Sequence, residues 1–337
     1  MKDILAVGNA ICDIIFQTDE STLEHFDLPK GGMVLCDKEK CSNILSYLKS
    51  QDSSFIISSG GSAANTITYL RKYGLKTAFV GNVADGYYGQ KYFSEMQDLG
   101  IKFANTHKKG EEETAKCIIL VTPDGERTMC TYLGCASEIF LEPEVARELQ
   151  NVELAYIEGY LWDKPQTKTA LNKIMYETRD NGGKVAFSLS DSFCVQRHLE
   201  EFKEIVAEKV DIVFGNEKEI VELYEISSID EANLTLLQNA LELSNLSVIV
   251  ITRHDKGCIV VTHNEVIPVD AEAVKAVDST GAGDAFAAGF LYGLQQGFSY
   301  YEAASIANNV AAQVVRHIGA RPDINLPKNI KEIKSVA

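Results

Sequence analysis

At 337 residues the chain has room for one large α/β domain or two ordinary ones, and 45% hydrophobic with 24% charged residues is an ordinary globular balance. Its 32 basic residues stand against 48 acidic ones, and the resulting net charge of −16 argues against nucleic acid or an anionic membrane surface as a main partner. The start, Met1-Lys2-Asp3-Ile4, lacks a basic-then-apolar signal pattern, and no apolar run reaches the roughly 18 residues that span a bilayer, so a soluble cytoplasmic protein without a membrane partner is expected.

Ile4-Leu5-Ala6-Val7-Gly8-Asn9 is a short apolar run closed by Gly, fitting a buried central strand. Ile11 to Phe16 is a second such run, interrupted by Asp13. An acid among Ile and Phe is either an outward-facing strand residue or a functional carboxylate at a strand end. Lys30 to Cys36 reads as another short strand, after which Asp37 caps a helix to about Tyr47. Ser54 to Ile57 is a strand running into Ser58-Ser59-Gly60-Gly61-Ser62-Ala63-Ala64-Asn65, where a helix begins with Ser62 as its cap. Thr77 to Gly81 is the next strand, and Asp85-Gly86-Tyr87-Tyr88-Gly89 opens a helix to Leu99. Glu113 to Val121 and Glu126 to Leu133 are β-rich runs around Thr122-Pro123-Asp124-Gly125, a hairpin signal with Arg127 at its start.

From Val152 strands and helices alternate, with strands to Gly159, at Lys184 to Ser190 and at Asp211 to Gly215, and helices from about Gln166 and Phe193. That alternation predicts a mostly parallel sheet covered on both faces. Asn216 and Glu219 have the spacing of a capping box at the following helix start. Val248 to Thr252 is the most β-branched run, and Arg253-His254-Asp255-Lys256-Gly257 leads into a strand over Cys258 to Thr262. Tyr300 to Arg316 is an Ala/Val-rich helix stopped by His317-Ile318-Gly319-Ala320-Arg321-Pro322, Gly then Pro.

One stretch concentrates chemistry: Val277-Asp278-Ser279-Thr280-Gly281-Ala282-Gly283-Asp284-Ala285-Phe286-Ala287-Ala288-Gly289. Gly281 and Gly283 flank the start of a buried helix over Ala282 to about Leu294, and the unpaired N–H groups of a helix start make an anion site. Asp284 in that first turn is either a helix-start acid favoured by the dipole or a base facing a transferring phosphoryl group. A dinucleotide-binding G-x-G-x-x-G fails at its third glycine, which is Phe286. The chain has no P-loop and no H-E-x-x-H, and its eight cysteines form no C-x-x-C pair, so they are expected as buried free thiols.

D-S-T-G-A-G-D-A-F-A-A-G resembles the C-terminal signature of the ribokinase-like, phosphofructokinase-B-type family of sugar and nucleoside kinases. The resemblance implies a three-layer α/β/α fold with a mostly parallel sheet and a small β lid, here one domain over 1–337 with the lid drawn from about 12–36 and 113–135. It makes Asp284 the catalytic base and the backbone of Gly281, Ala282 and Gly283 the anion hole. G-G-S-A-A-N-T resembles the N-terminal signature, which assigns Gly60, Gly61 and Asn65 to the acceptor, while Asp13 after the G-N of the first strand grips two sugar hydroxyls. N-x-x-E assigns Asn216 and Glu219 to the water shell of Mg2+ beside ATP. Thr252, Gly257 and Asn308 would border the nucleotide, although His254 stands where the family has a Gly. Asp278, Thr280 and Gly319 would hold a monovalent cation such as K+, largely through backbone carbonyls. Arg127 is either solvated or a lid arginine over the phosphates.

Within that family G-N-A-I-C-D, G-G-S-A-A-N-T and E-R-T-M look most like adenosine kinases and their bacterial relatives. The expected acceptor is therefore adenosine or a close nucleoside, its base meeting Phe16, Met33, Leu35 and Leu133. Ser188-Leu189-Ser190-Asp191-Ser192-Phe193 departs from the N-L-S-A-P-F of adenosine kinases, which leaves a ribokinase- or fructokinase-type sugar acceptor open. A non-catalytic nucleotide- or sugar-binding protein is the other class. Lid strands that stay open or pair across a dimer allow a monomer or a homodimer.

Overall fold

The computed structural model describes residues 3–51, 54–105 and 112–324. In chain order the strands begin with β1 (Asp3–Val7), β2 (Ile11–Gln17), β3 (Met33–Leu35), β4 (Phe55–Gly60), β5 (Thr77–Gly81), β6 (Lys102–Asn105) and β7 (Ala115–Val121). They continue with β8 (Arg127–Tyr132), β9 (Val152–Glu158), β10 (Lys184–Ser188), β11 (Ile212–Asn216), β12 (Val248–Thr252), β13 (Cys258–Thr262) and β14 (Val266–Val269).

The larger sheet has the order β14-β13-β12-β11-β10-β9-β1-β5-β6 and is parallel from β12 to β6. Its inner strands are continuous apolar runs because both faces are covered. One face packs on the helices Ser62–Lys72, Ala282–Gln295 and Tyr300–Val314. The other packs on Pro165–Asp180, Leu199–Glu208 and Glu231–Glu242 around Trp162, Phe187 and Phe202. The edge strands β6 and β14 escape a reading from pattern, being short and only partly buried. No described helix is long and apolar enough to cross a membrane.

The chain leaves β1 toward β5 on one side and toward β9 on the other, so a topological switch point lies at the carboxyl end of β1. In open α/β sheets that crevice is where ligands bind. Gly8-Asn9, Glu158, Ser188, Asn216 and Thr252 all stand at carboxyl ends of neighbouring strands.

The smaller sheet, β3-β8-β7-β2-β4, is built from the segments expected for a lid together with β4, which belongs here and continues through the serines to Gly60. Alternation along β2 decides the orientation of Asp13. Cys12, Ile14 and Phe16 are fully buried, whereas Ile11, Asp13 and Ile15 occupy the opposite face. Phe16 belongs to a core with Ile44, Leu45 and Leu48 of the Lys38–Ser50 helix, so it faces away from Asp13 and cannot meet an acceptor there. Met33 and Leu35, 48% and 59% exposed on the edge strand, remain free to do so. Asp37 caps the Lys38–Ser50 helix as expected, its side chain accepting from the Lys40 N–H at 2.8 Å.

Candidate active site

The Asp13 face of the small sheet carries a defined row. Asp13 pairs with Cys117, Ile15 with Ile119, Ile119 with Met129 and Val121 with Arg127, so Asp13 and Arg127 share one face with an apolar strip between them. Burial pushes the Asp13 carboxyl up to about 6, against the opposing charges of Arg321 and Arg127. Gly60 is required by this acid, since a Cβ on it would lie 2.4 Å from Asp13 Oδ2. Gly61, at φ 101°, would place a Cβ 2.0 Å from the Asn9 carbonyl oxygen. Both glycines thus serve close approach of protein to protein.

Gly61, not Ser62, is the N-cap of the Ser62–Lys72 helix. The Ser62 hydroxyl is used elsewhere, donating to Asp284 Oδ1 at 2.6 Å. Asn65, buried in the next turn, donates its amide to Asp284 Oδ2 at 2.8 Å. The helix start is held by Glu158, which ends β9 fully buried and accepts from the Asn9 N–H (2.6 Å), the Asn9 side-chain amide (2.6 Å) and the Ala63 N–H (2.8 Å). Burial pushes the Glu158 carboxyl up to about 7 against those three donors.

Gly281 caps the Ala282–Gln295 helix at φ 77°, where a Cβ would lie 2.7 Å from Ala320 Cα. The Ala282 N–H turns back to the Ser279 carbonyl at 3.1 Å. Among the described residues the N–H groups of Gly283 and Asp284 have no protein acceptor, and a Cβ on Gly283 would meet no atom within 4 Å. Two orphan donors therefore face open space at the positive end of a helix. The half-buried Asp284 sits beside them, its pKa raised by burial and held back by Ser62, Asn65 and the charge of Arg321.

A cavity of about 300 Å³ opens from Ser62, Gly283 and Asp284 to Ser188, Asn216, Glu219 and Thr252. The capping box is present: Asn216 Oδ1 accepts from the Glu219 N–H at 2.9 Å, and Glu219 Oε2 accepts from the Asn216 N–H at 3.0 Å. Burial pushes Glu219 up to about 7. One pair of side chains therefore caps a helix and walls the cavity. Asp191, which breaks the N-L-S-A-P-F pattern, caps the Ser192–Arg197 helix through the Cys194 N–H at 2.7 Å.

The remaining nucleotide expectations divide. Thr252 lines the cavity, and His254 adopts φ 55°, the left-handed region that a Gly takes without strain. Arg253 is not a free positive charge, because its Nε–H donates to Glu217 at 2.8 Å. Gly257 and Asn308 are not among the cavity's lining residues. A Cβ on Gly257 would come 2.1 Å from the Val269 carbonyl oxygen, and the buried Asn308 amide donates to the carbonyls of Val269 (3.0 Å) and Asp270 (3.2 Å). Both residues shape the exit of β14.

Arg127 is not solvated: it forms an ion pair with Asp278 and donates to Thr280 Oγ1 at 3.3 Å, with both charged side chains at or below 10% exposure. Asp278 also accepts from the Thr280 N–H and hydroxyl on Oδ1 and from the Gly319 N–H at 2.7 Å on Oδ2. Four donors occupy the lone pairs of that carboxylate, so it does not fit a cation ligand as placed. Of the three residues named for a monovalent cation, Asp278, Thr280 and Gly319, the backbone carbonyls would be the groups to hold it.

Arg321 was legible only as part of a helix stop. The fold carries it to the start of the Ser62–Lys72 helix, where its Nε–H donates to Asn65 Oδ1 at 2.7 Å and Nη1 to Ser59 Oγ at 2.6 Å. Glu158 was signalled faintly, as a charge ending the apolar run Leu154 to Ile157.

Comparison with known proteins gives the family. Residues 36–328 match the model of the pfkB family carbohydrate kinases. Among solved structures, an adenosine kinase from Sinorhizobium meliloti is 36% identical over 100% of this chain and 99% of its own, with a TM-score of 0.81. A probable sugar kinase from Rhizobium etli is 34% identical over 99% of both chains, with a TM-score of 0.83. A 5-dehydro-2-deoxygluconokinase from Halalkalibacterium halodurans is 28% identical over 82% of this chain and 85% of its own. With the parallel sheet, the open helix start and the half-buried acid beside it already in place, the match over residues 36–328 makes this chain a member of the pfkB family of carbohydrate kinases, phosphotransferases that act on a hydroxyl group.

Proposed function

We propose that the chain transfers the γ-phosphoryl group of Mg-ATP to the primary hydroxyl of an adenosine-like nucleoside, with Asp284 as base. The observation that carries this reading is the start of the Ala282–Gln295 helix, where a carboxylate fixed on both oxygens adjoins two N–H donors facing open space. Asp284 takes the proton of the attacking hydroxyl, and the N–H groups of Gly283 and Asp284 stabilise charge on the transferring group as ADP leaves. Asp13 accepts from two acceptor hydroxyls. Arg127, fixed on Asp278 and Thr280, ties the small sheet to the anion-hole loop, and that sheet acts as a lid excluding water.

Asn216 and Glu219 offer hard oxygen donors at the far wall of the cavity, a donor set that suits the hydration shell of Mg2+. When bound, Mg2+ neutralises charge on the phosphate oxygens.

The nucleoside preference is supported by the apolar strip of Ile15, Ile119, Val121 and Met129 on the Asp13 face and by the exposed Met33 and Leu35. Burying a purine face on such side chains is worth on the order of 1–3 kcal/mol, so adenosine should exceed ribose at least tenfold in kcat/KM. A free-sugar acceptor is the second reading, favoured by Ser188 and Ser190 in the cavity wall. Steady-state rates with adenosine, ribose, fructose and 5-dehydro-2-deoxygluconate separate the two, and a sugar as the better acceptor refutes the nucleoside. Asp284→Asn should bind ATP but lose roughly 10²–10⁴-fold in kcat, the usual cost of removing a general base. A variant with near-wild-type kcat would refute the base assignment whatever the acceptor.

A further inference from the structure

We infer that Arg321 is a positioning residue of this centre, orienting the Asn65 amide so that its NH2 faces Asp284 and keeps the base ionised; the inference rests on the reading of Asp284 proposed above. A continuous chain of donors links them: Arg321 Nε to Asn65 Oδ1 at 2.7 Å, then Asn65 Nδ2 to Asp284 Oδ2 at 2.8 Å. An Asn side chain has an acceptor end and a donor end of nearly the same shape, so only its neighbours decide which way it points. A guanidinium has donors and no acceptor. Arg321 therefore forces the oxygen of Asn65 toward itself, and the NH2 is left no orientation but toward the acid. Reversed, the amide would set its oxygen against a carboxylate oxygen and its NH2 against a guanidinium N–H.

The position of Arg321 is determined independently of its side chain. Tyr69 donates its hydroxyl to the Ala320 carbonyl at 2.9 Å, the Gly319 N–H is held by Asp278, and Ala320 packs where Gly281 lacks a Cβ. The guanidinium has no carboxylate at ion-pair distance among the described residues, and its Nη2 is buried without a hydrogen-bond partner. Its charge acts instead on the acids around it. Asp13 and Arg127 approach from the small sheet, Glu95 through the Ser59 N–H at 3.0 Å, Glu158 from β9, and Tyr69 and Tyr156 from the flanking helix and strand. Arg321 is the largest charge opposing the burial of Asp13 and the charged group that opposes it at Asp284.

The test is Arg321→Met and Arg321→Lys in the full chain, with kcat and KM followed from pH 5 to 9 beside thermal melting. The acceptor is adenosine, or the fastest of ribose, fructose and 5-dehydro-2-deoxygluconate if the wild-type chain leaves adenosine unphosphorylated. In Arg321→Met the acid limb of kcat should move up by about one to two pH units, so that kcat falls roughly ten- to a hundredfold at pH 6 and recovers by pH 9. Arg321→Lys, which keeps a charge and a single donor nitrogen, should shift the limb less, and it reads the same limb if Met is not tolerated. Adding Arg321→Met to Asp284→Asn should lower kcat no further, because the effect passes through the acid. A limb that stays in place, or equal losses with and without Asp284, overturns the role of Arg321. Full activity of Asp284→Asn alone is a separate outcome and overturns the base assignment itself.

Discussion

Gly283→Ala separates the anion hole from the packing of the helix that forms it. The residue lies in the first turn of the Ala282–Gln295 helix, exposed, and a methyl group there would meet nothing within 4 Å. Replacing Gly by Ala in a helix is worth about 0.5–1 kcal/mol, chiefly through the unfolded chain. In a protein of this size that raises Tm by about 1–3 °C. Gly283 and Asp284 both line the cavity, so the methyl is expected to crowd a phosphoryl group approaching the two orphan N–H groups, and loss of one oxyanion donor costs roughly 10²–10³ in kcat. The variant should thus be at least as stable as the wild type and about a hundredfold slower. Thermal melting with a coupled assay of ADP release measures both quantities. A stable variant with kcat within threefold of wild type would refute the anion hole, and a lowered Tm would refute the open space. Gly281→Ala is the contrasting case: at φ 77° and 2.7 Å from Ala320 Cα its methyl meets backbone, so this variant should lose stability first.

Asp13→Ala should weaken acceptor binding by several kcal/mol, charge-assisted bonds being worth roughly 1.5–3 kcal/mol each, and leave ATP affinity intact. Equal losses for both ligands in calorimetric titration would mean that Asp13 is structural. Burial raises both Asp13, to about 6, and Asp284, and each is needed ionised; kcat/KM for the acceptor should therefore fall as pH drops through about 6. A profile flat down to pH 5 would contradict those shifts. Glu158→Gln turns an NH2 toward one of three N–H donors that now share a carboxylate, which should cost about 1–3 kcal/mol of stability. An unchanged urea midpoint would remove Glu158 from the framework.

The central strands, the helix starts after Asp37 and Asn216, and the D-S-T-G-A-G-D turn were legible in the sequence because each is a local event. A run of apolar residues, a cap spaced three residues from its partner, or a glycine before an acid commits the backbone without reference to distant chain. The family followed from two such local patterns. Pairings between remote segments were not legible. Arg321 reads as a helix stop in its own neighbourhood, and only the packing of the Tyr300–Val314 helix against Ala282–Gln295 delivers it to Asn65, 256 residues away. Arg127 read as either solvated or a lid arginine until Asp278 stood opposite it and removed the first, and Phe16 was assigned to the cleft because alternation alone does not say which face of a strand is covered. Asn308 carries an amide suited to a nucleotide, and that amide donates to the carbonyls of Val269 and Asp270, while Gly257 is fixed by the close approach of the Val269 carbonyl. The sequence by itself determined which residue types could act and which backbone could form an anion site. Tertiary structure decided which polar groups meet each other and which are left facing the cavity, because a hydrogen bond is a property of two groups and the chain places most such pairs far apart.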